Sequence, residues 1–299
     1  IVYFCDNGPN GTRWNGGTKG RKGSTDEGGV RSPLLIRWPG KIAAGKTVPQ
    51  IAGAIDLLPT LAGLANVPVV SKKPLDGLSL KSRLVDDDKQ ISDRMIFSHW
   101  SGRVSVRTQQ YRLDHQGHLY DLTRDPGQDR DIAAAHPNLT SRLKQSVQEW
   151  SGELLPGLRD DQRPFVIGHP GYQFTQIPAR DGVAQGGLKR SNKFPNCSYF
   201  HNWKSLDDAI TWEVEVGATG NYEVELHYTC PAADVGSTVA LTFGDNKLSG
   251  KITEAHDPPE RGAEHDRVAR AESYVKDFRT MKLGTMHLEK GSGKLTLQA

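Results

Sequence analysis

An apolar run, Ile1-Val2-Tyr3-Phe4-Cys5, breaks off into Asp6-Asn7 and then into a stretch with eight glycines between residues 6 and 32. This juxtaposition constrains the fold more than any other feature. The run reads as a buried strand. Such a strand needs neighbours, and parallel neighbours need crossover helices. None precedes it, so the expectation is the carboxyl-terminal part of a longer polypeptide, with any export signal upstream. A structureless loop as long as residues 6–32 is uncommon inside a compact domain, and where it is ordered it is usually functional.

The 299 residues predict about two domains. With 36% hydrophobic and 24% charged residues, the composition supports a packed core and excludes long disorder. No apolar stretch approaches the ~20 residues of a membrane span. The formal net charge is +3, and the first fifty residues hold eight basic residues against three acidic ones. A modest local excess of this kind suits a small anionic substrate, whereas a nucleic-acid binder would need a far more basic domain. The three cysteines, Cys5, Cys197 and Cys230, form neither a disulfide framework nor a CxxC metal motif. A Cys197–Cys230 pair stays open for an exported protein, beside the plainer reading of buried thiols.

Residues 33–39 read as a short strand closed by Pro39-Gly40. Asp56 is expected to N-cap a helix running to about Asn66, with Pro59 in its first turn and Leu57, Leu58, Leu61 and Leu64 on one face. Short strands follow at Met95–Trp100, Arg103–Arg107, Tyr111–Asp114 and His118–Leu122. Leu139, Leu143, Val147 and Trp150 then recur at helical spacing, with Asn138 as the expected cap. This predicts a small antiparallel sheet covered by a helix. A linker is expected over residues 151–165. Beyond it Trp212, Val214 and Val216 alternate with polar residues, as do Tyr222, Val224, Leu226 and Tyr228, and Val239, Leu241 and Phe243. Late strands are expected at Thr280–Leu283, Thr285–Leu288 and Lys294–Gln298, and the whole pattern argues for a β-sandwich.

Asp6 and Asn7 place two hard oxygen donors at a strand end, where open α/β sheets collect ligands and where Ca²⁺ or Mg²⁺ would be suited. Asp-Asn-Gly-Pro is equally the chemistry of a plain Asx turn. The glycines that follow allow backbone N–H groups to converge on an anion, and Lys19, Arg21 and Lys22 add charge. A flexible loop with solvated lysines is the competing reading. No Walker A pattern occurs.

Taken together, Asp6-Asn7-Gly8-Pro9, the run from Gly20 to Arg31 and the segment from Pro33 to Gly40 resemble the second half of a formylglycine-dependent sulfatase. The resemblance continues through Asp56-Leu57-Leu58-Pro59-Thr60, Tyr111-Arg112-Leu113, Leu119-Tyr120-Asp121-Leu122 and Asp125-Pro126-Gly127, covering about half the chain. It implies an alkaline-phosphatase-like α/β fold. Residues 1–155 would be the end of the sulfatase domain, divided into 1–66 of the catalytic core and 67–155 of a small α+β subdomain. Residues 156–299 would be an appended β-sandwich module. The resemblance further implies Asp6 and Asn7 as Ca²⁺ ligands, Lys22 as the sulfate-contacting catalytic lysine, and a sulfated carbohydrate or aryl sulfate as substrate. Lys19 and Arg21 do not align with that lysine and receive no role. In the family a formylglycine hydrate attacks sulfur, the metal and the lysine hold the sulfate oxygens, and the alcohol departs. A periplasmic or extracellular location is implied as well.

Two positions depart from the family pattern. Asp26 stands where an aromatic residue is common. No Cys/Ser-x-Pro-x-Arg motif, the source of formylglycine, occurs around Cys5, Cys197 or Cys230. The nucleophile is therefore expected upstream, and the segment alone is expected to be inactive. His99, in Ser98-His99-Trp100, is a candidate substrate contact as well as an ordinary packing or surface histidine.

In the tail, Tyr172, Tyr199, Phe200 and Trp203 could stack on sugars or fill the core. Glu254–Asp257 and Glu264–Asp266 could bind Ca²⁺ or form solvated loops. Two other functions remain to be weighed. One is a phosphodiesterase of the alkaline-phosphatase superfamily, disfavoured because no Asp-x-x-x-His or His-x-x-x-His run lies near Asp6. The other is a non-catalytic glycan-binding protein. Oligomeric state and sulfate position are not legible in the sequence.

Overall fold

The computed structural model describes residues 1–86, 88, 90–159, 163–193, 198–267, 269 and 274–299. The chain divides into two compact units, Ile1–Asp161 and Gln162–Ala299.

In the first unit, β1 (Val2–Phe4) pairs antiparallel with β2 (Leu34–Ile36), with Tyr3 opposite Leu35. The expected burial is not observed. Tyr3 is 55% and Leu35 62% exposed, because no layer covers this two-stranded ribbon among the described residues. Between the two strands lies the Gly-rich loop, which ends in a single helical turn, α1 (Glu27–Val30).

Helix α2 (Leu57–Ala65) stops at Asn66, which adopts the left-handed conformation that asparagine tolerates better than most residues. Asp56 does not cap this helix with its side chain. A 3₁₀ turn, Ala54–Asp56, precedes α2, and the Asp56 carboxylate turns away to accept N–H groups from Gly53 and Leu78 at 2.8 Å each. It also pairs with Arg94 at 2.8 Å, and both side chains are buried. A carboxylate buried this deeply needs that guanidinium, which makes Asp56 a tertiary anchor.

After α3 (Lys81–Val85), the strands β3 (Ile96–Trp100), β4 (Arg103–Arg107), β5 (Tyr111–Leu113) and β6 (Leu119–Asp121) form a four-stranded antiparallel meander in that order. Helix α4 (Pro137–Leu154) lies on it, burying Leu143 among Val106, Leu113 and Leu119. Each such side chain contributes about 1.5–3 kcal/mol on burial. Trp150 stacks on Phe97 with ring centroids 5.4 Å apart. The helix starts one residue before the expected cap: Pro137 occupies the first turn, where its missing N–H costs nothing, and His136 takes the cap position. It also runs to Leu154 and is followed by α5 (Pro156–Arg159), so helix occupies the first part of the expected linker.

In the second unit, β7 (Phe165–Ile167) pairs parallel with the end of β11 (Ala209–Val216), and β8 (Val183–Gln185) pairs antiparallel with its start. A short pair, β9 (Lys189–Arg190) and β10 (Phe200–His201), lies between them in sequence. The strands β12 (Gly220–Tyr228), β13 (Thr238–Phe243), β14 (Asn246–Lys251), β15 (Arg279–Leu288) and β16 (Gly291–Gln298) complete the unit. One six-stranded sheet runs β14-β13-β16-β11-β7 with β8 also on β11, and a two-stranded sheet joins β12 to β15. Inward residues of both sheets share one core. Ile210, Trp212, Val214, Val216 and Leu295 come from the larger sheet and Met286 and Leu288 from the smaller, with Tyr222 and Val224 packed against them. The two late strands expected at 280–283 and 285–288 are one strand. Gly284, at φ +138, takes up a bulge opposite Val224/Glu225 without ending it.

Trp203 and Phe200 pack against the shared core, whereas Tyr172 and Tyr199 are exposed. Cys230 is buried and forms no disulfide among the described residues, and Cys197 lies outside them. In the tail, Asp257 pairs with Lys276 and Glu254 with Arg279 at 2.5 Å each, and Glu264 accepts the Gly262 N–H at 2.9 Å. No group of three or more His, Cys, Asp or Glu that could hold a metal occurs among the described residues. No described helix is long and apolar enough to cross a membrane.

Candidate functional site

The Gly-rich loop is stitched back onto the end of β1. Gly8 donates its N–H to the Gly29 carbonyl at 2.8 Å, Lys22 donates its backbone N–H to the Pro9 carbonyl at 2.9 Å, and Gly28 donates to the Lys19 carbonyl at 2.7 Å. Lys22 is thereby held by its main chain two residues beyond Asn7. The approach is close enough to require glycine. A Cβ on Gly8 would sit on the Gly28 carbonyl oxygen, and one on Gly28 would lie 2.6 Å from the Gly20 oxygen. Gly20 and Gly23, at φ +85 and +88, make the left-handed turns on either side of Lys22.

Glu27 ties this loop to the meander. Its buried carboxylate accepts two hydrogen bonds from Arg112, at 2.8 and 3.2 Å, with Arg107 at 3.5 Å and Arg31 at 3.6 Å. Arg112 also donates to the Thr25 carbonyl at 2.8 Å, and Ser105 donates to the same oxygen at 2.7 Å. The Glu27 N–H reaches the Gln128 side chain at 2.8 Å.

Lys19 and Lys22 separate clearly. The Lys19 ammonium donates to the Tyr120 hydroxyl at 3.2 Å, lies over the Tyr120 ring, and sits 3.7 Å from Asp114 and 4.0 Å from Asp26. Burial opposes its charge, but the Tyr120 hydrogen bond and the two carboxylates outweigh that and raise its pKa. Asp114 is buried. Burial alone would raise its pKa, and N–H bonds from His118 and Gln116 together with the His118 ring bring it below the ordinary carboxylate value. Asp26, the departure from the family pattern, is buried beside Lys19, and its carbonyl accepts the first helical bonds of α1. Lys22 itself is exposed.

Asp6 is exposed, and no hydrogen bond or ion pair engages its carboxylate among the described residues. Asn7 donates its amide N–H to the Gly8 carbonyl at 2.8 Å, which leaves its Oδ1 as the acceptor. Two hard oxygens at a strand end fit a calcium ion as part of its shell of 6–8 oxygens.

His99 lies on β3, whose turn into β4 uses Ser101 and Gly102 at positive φ. The Gly102 N–H donates to His99 Nε2 at 3.0 Å, so that nitrogen is committed to the turn. This turn borders the Gly-rich loop, since Arg103 donates to the Gly23 carbonyl at 3.2 Å and Gly23 packs beside Trp100. No local signal in the sequence marks Glu27, Arg112, Asp114 or Tyr120 as site residues, although Glu27, Arg112 and Tyr120 lie inside motifs that carry the resemblance. Their partners are 85 or more residues away for Arg112–Glu27 and Lys19–Tyr120.

Residues 1–67, which contain the strand end and the whole loop, match the family model described as Sulfatase. The chain carries a segment that matches the sulfatase family. Human arylsulfatase A is 34% identical over 185 residues, covering 48% of this chain and 36% of that protein. The N-acetylgalactosamine-6-sulfatase of Mus musculus is 33% identical over 203 residues, covering 52% and 38%. The crystal structure of Ps i-CgsB aligns over 50% of this chain and 36% of its own, with 28% identity and a TM-score of 0.45. The sulfatase segment thus spans well under half the length of these relatives.

Proposed function

We propose that this chain is the carboxyl-terminal part of a sulfuric ester hydrolase acting on a carbohydrate or aryl sulfate. The observation that carries the reading is the loop itself. Lys22 is latched by its backbone to Pro9, two residues beyond Asn7, inside a glycine framework that a buried Glu27–Arg112 pair anchors. Two relatives bear names that fit this substrate range, arylsulfatase A and N-acetylgalactosamine-6-sulfatase. An extracellular or periplasmic location suits a polymeric sulfated substrate.

In this reading Asp6 and Asn7 are ligands of a Ca²⁺ ion, with the remaining ligands and the formylglycine supplied from outside these residues. The bound ion would act as a Lewis acid that stabilises charge on the sulfate oxygens. Lys22 places a compact ammonium beside the same anion, where a donor is worth most against charge developing in the transition state. Lys19 is already neutralised by Asp26 and Asp114, so it fixes the loop and takes no part in binding. His99 reaches the substrate only through Nδ1, because Nε2 holds the turn. Residues 1–299 alone do not hydrolyse a sulfate ester.

In the complete protein, Lys22→Ala should raise the barrier to sulfate-ester hydrolysis by about 2–4 kcal/mol, while Lys19→Ala lowers stability first. Asp6→Ala should abolish a Ca²⁺-dependent rise in melting temperature. Unchanged kinetics in Lys22→Ala would remove that residue from the mechanism.

A further inference from the structure

The segment after β7 carries two aromatic rings that the fold does not use. Tyr172 is 72% and Phe174 84% exposed. The segment itself is pinned at both ends. Gly217 donates to the Ile167 carbonyl at 2.8 Å before it, and the Trp212 indole donates to the Pro178 carbonyl at 3.3 Å after it. Between these anchors His169 braces the turn. Its Nδ1 accepts the Gly171 N–H at 3.0 Å, its carbonyl accepts the Tyr172 N–H at 2.9 Å, and its ring lies 5.1 Å from the Tyr172 ring. The Tyr172 ring is therefore presented on an ordered turn, at an entropic cost below that of a loose loop, and Phe174 follows two residues on.

They border an open cavity of about 370 Å³ lined by Val166, His169, Tyr172, Phe174, Thr175 and Gln176. That size falls within the range of small-ligand sites, about 300–1,000 Å³. The lining pairs flat apolar rings with a hydroxyl, an amide and an imidazole. Sugars are built the same way, with apolar C–H faces and a rim of hydroxyl donors and acceptors. No Lys, Arg, Asp or Glu lines the cavity, and residues 162–299 hold sixteen basic residues against seventeen acidic ones. A polyanionic segment would want a positive field that this surface lacks.

We propose that this cavity is a carbohydrate subsite that stacks an unsulfated pyranose of a glycan chain on Tyr172 and Phe174, with Thr175 and Gln176 hydrogen-bonding its hydroxyls. The site does not depend on the sulfatase reading, because it lies wholly within the second unit and needs no catalysis.

Affinity electrophoresis of the whole chain in native gels containing a neutral β-mannan, β-galactan or β-glucan tests it, with a sulfated galactan as the charged control. At least one neutral polysaccharide should retard the wild-type chain. Tyr172→Ala and Phe174→Ala should each weaken binding about three- to tenfold, and Tyr172→Phe should retain it. Both rings are exposed, so the double alanine variant should keep the wild-type circular dichroism and melting temperature. Retardation by none of the neutral polysaccharides, by the sulfated galactan alone, or equally in the wild type and the double variant would overturn the proposal.

Discussion

Replacing Glu27 with glutamine should destabilise the first unit by several kcal/mol although the change is isosteric. The carboxylate is buried, 2.8 Å from a buried Arg112 guanidinium and 3.5 Å from Arg107. At an effective dielectric near 20, the 2.8 Å contact alone corresponds to a gross attraction of about 6 kcal/mol. Desolvation of both ions offsets part of this, so the pair contributes little net stability compared with an apolar replacement of both partners. Breaking it from one side is different. Glu27→Gln preserves the shape and one acceptor oxygen but leaves two guanidinium groups without a counter-charge, a loss of about 3–5 kcal/mol. Urea denaturation of the whole chain followed by circular dichroism measures it. The transition of the first unit should move to lower urea, and the transition of the second should stay. The double variant Glu27→Gln/Arg112→Met should recover part of the loss, because it removes the stranded charge. A loss below about 1 kcal/mol in the single variant would refute the reasoning, since it would mean that water reaches the pair and screens it.

Gly8→Ala should destabilise the same unit by about 1–3 kcal/mol, measured in the same way, because the new methyl group meets the Gly28 carbonyl and backbone must move. The pH dependence follows from two shifted groups in contact. Asp114 is lowered in the folded state, so its stabilisation is present above the ordinary carboxylate pKa of about 3.9 and is lost as pH falls through its lower folded value. Lys19 is raised, so its contribution is complete below about 10.4 and is lost as pH rises through its higher folded value. Stability of the first unit should be flat in neutral solution on account of this pair. Asp114→Asn should reduce the acid-side loss in a urea series from pH 6 to pH 2, and an unchanged acid limb would rule out Asp114 as its source.

Elements whose signal is local were legible in the sequence. Val214, Val216 and Trp212 alternate along β11 and are all buried, and Leu143, at the centre of the α4 apolar face, is wholly enclosed. β14 was missed because Asn-Lys-Leu-Ser-Gly-Lys is half-exposed and polar, and only pairing with β13 makes it a strand. Asp56 was misread for a related reason. An aspartate before a helix looks the same whether it caps that helix or reaches a guanidinium 38 residues away, and here Arg94 wins. The strand end, its glycines and Lys22 lie within one continuous stretch and were read from it, whereas the role of Lys19 depends on Tyr120 and Asp114, which the sequence places about a hundred residues downstream.

That difference bears on how the loop could work. Counted by sequence, Lys19, Arg21, Lys22 and Arg31 make it strongly cationic, yet Lys19 is paired with Asp26 and Asp114, and Arg31 lies beside Glu27. The Lys19 contacts tie the loop to the meander, and Arg21, Lys22 and Arg31 are the exposed cations of the stretch. A cation on an unanchored loop would reorganise when an anion arrived, and that reorganisation would consume much of the electrostatic gain. Here the backbone carrying Lys22 is fixed before any anion binds, through the Pro9 carbonyl, two left-handed glycines and the buried Glu27. If Lys22 contacts the sulfate as proposed, the residues that build this anchor bear on the site as directly as the lysine they position.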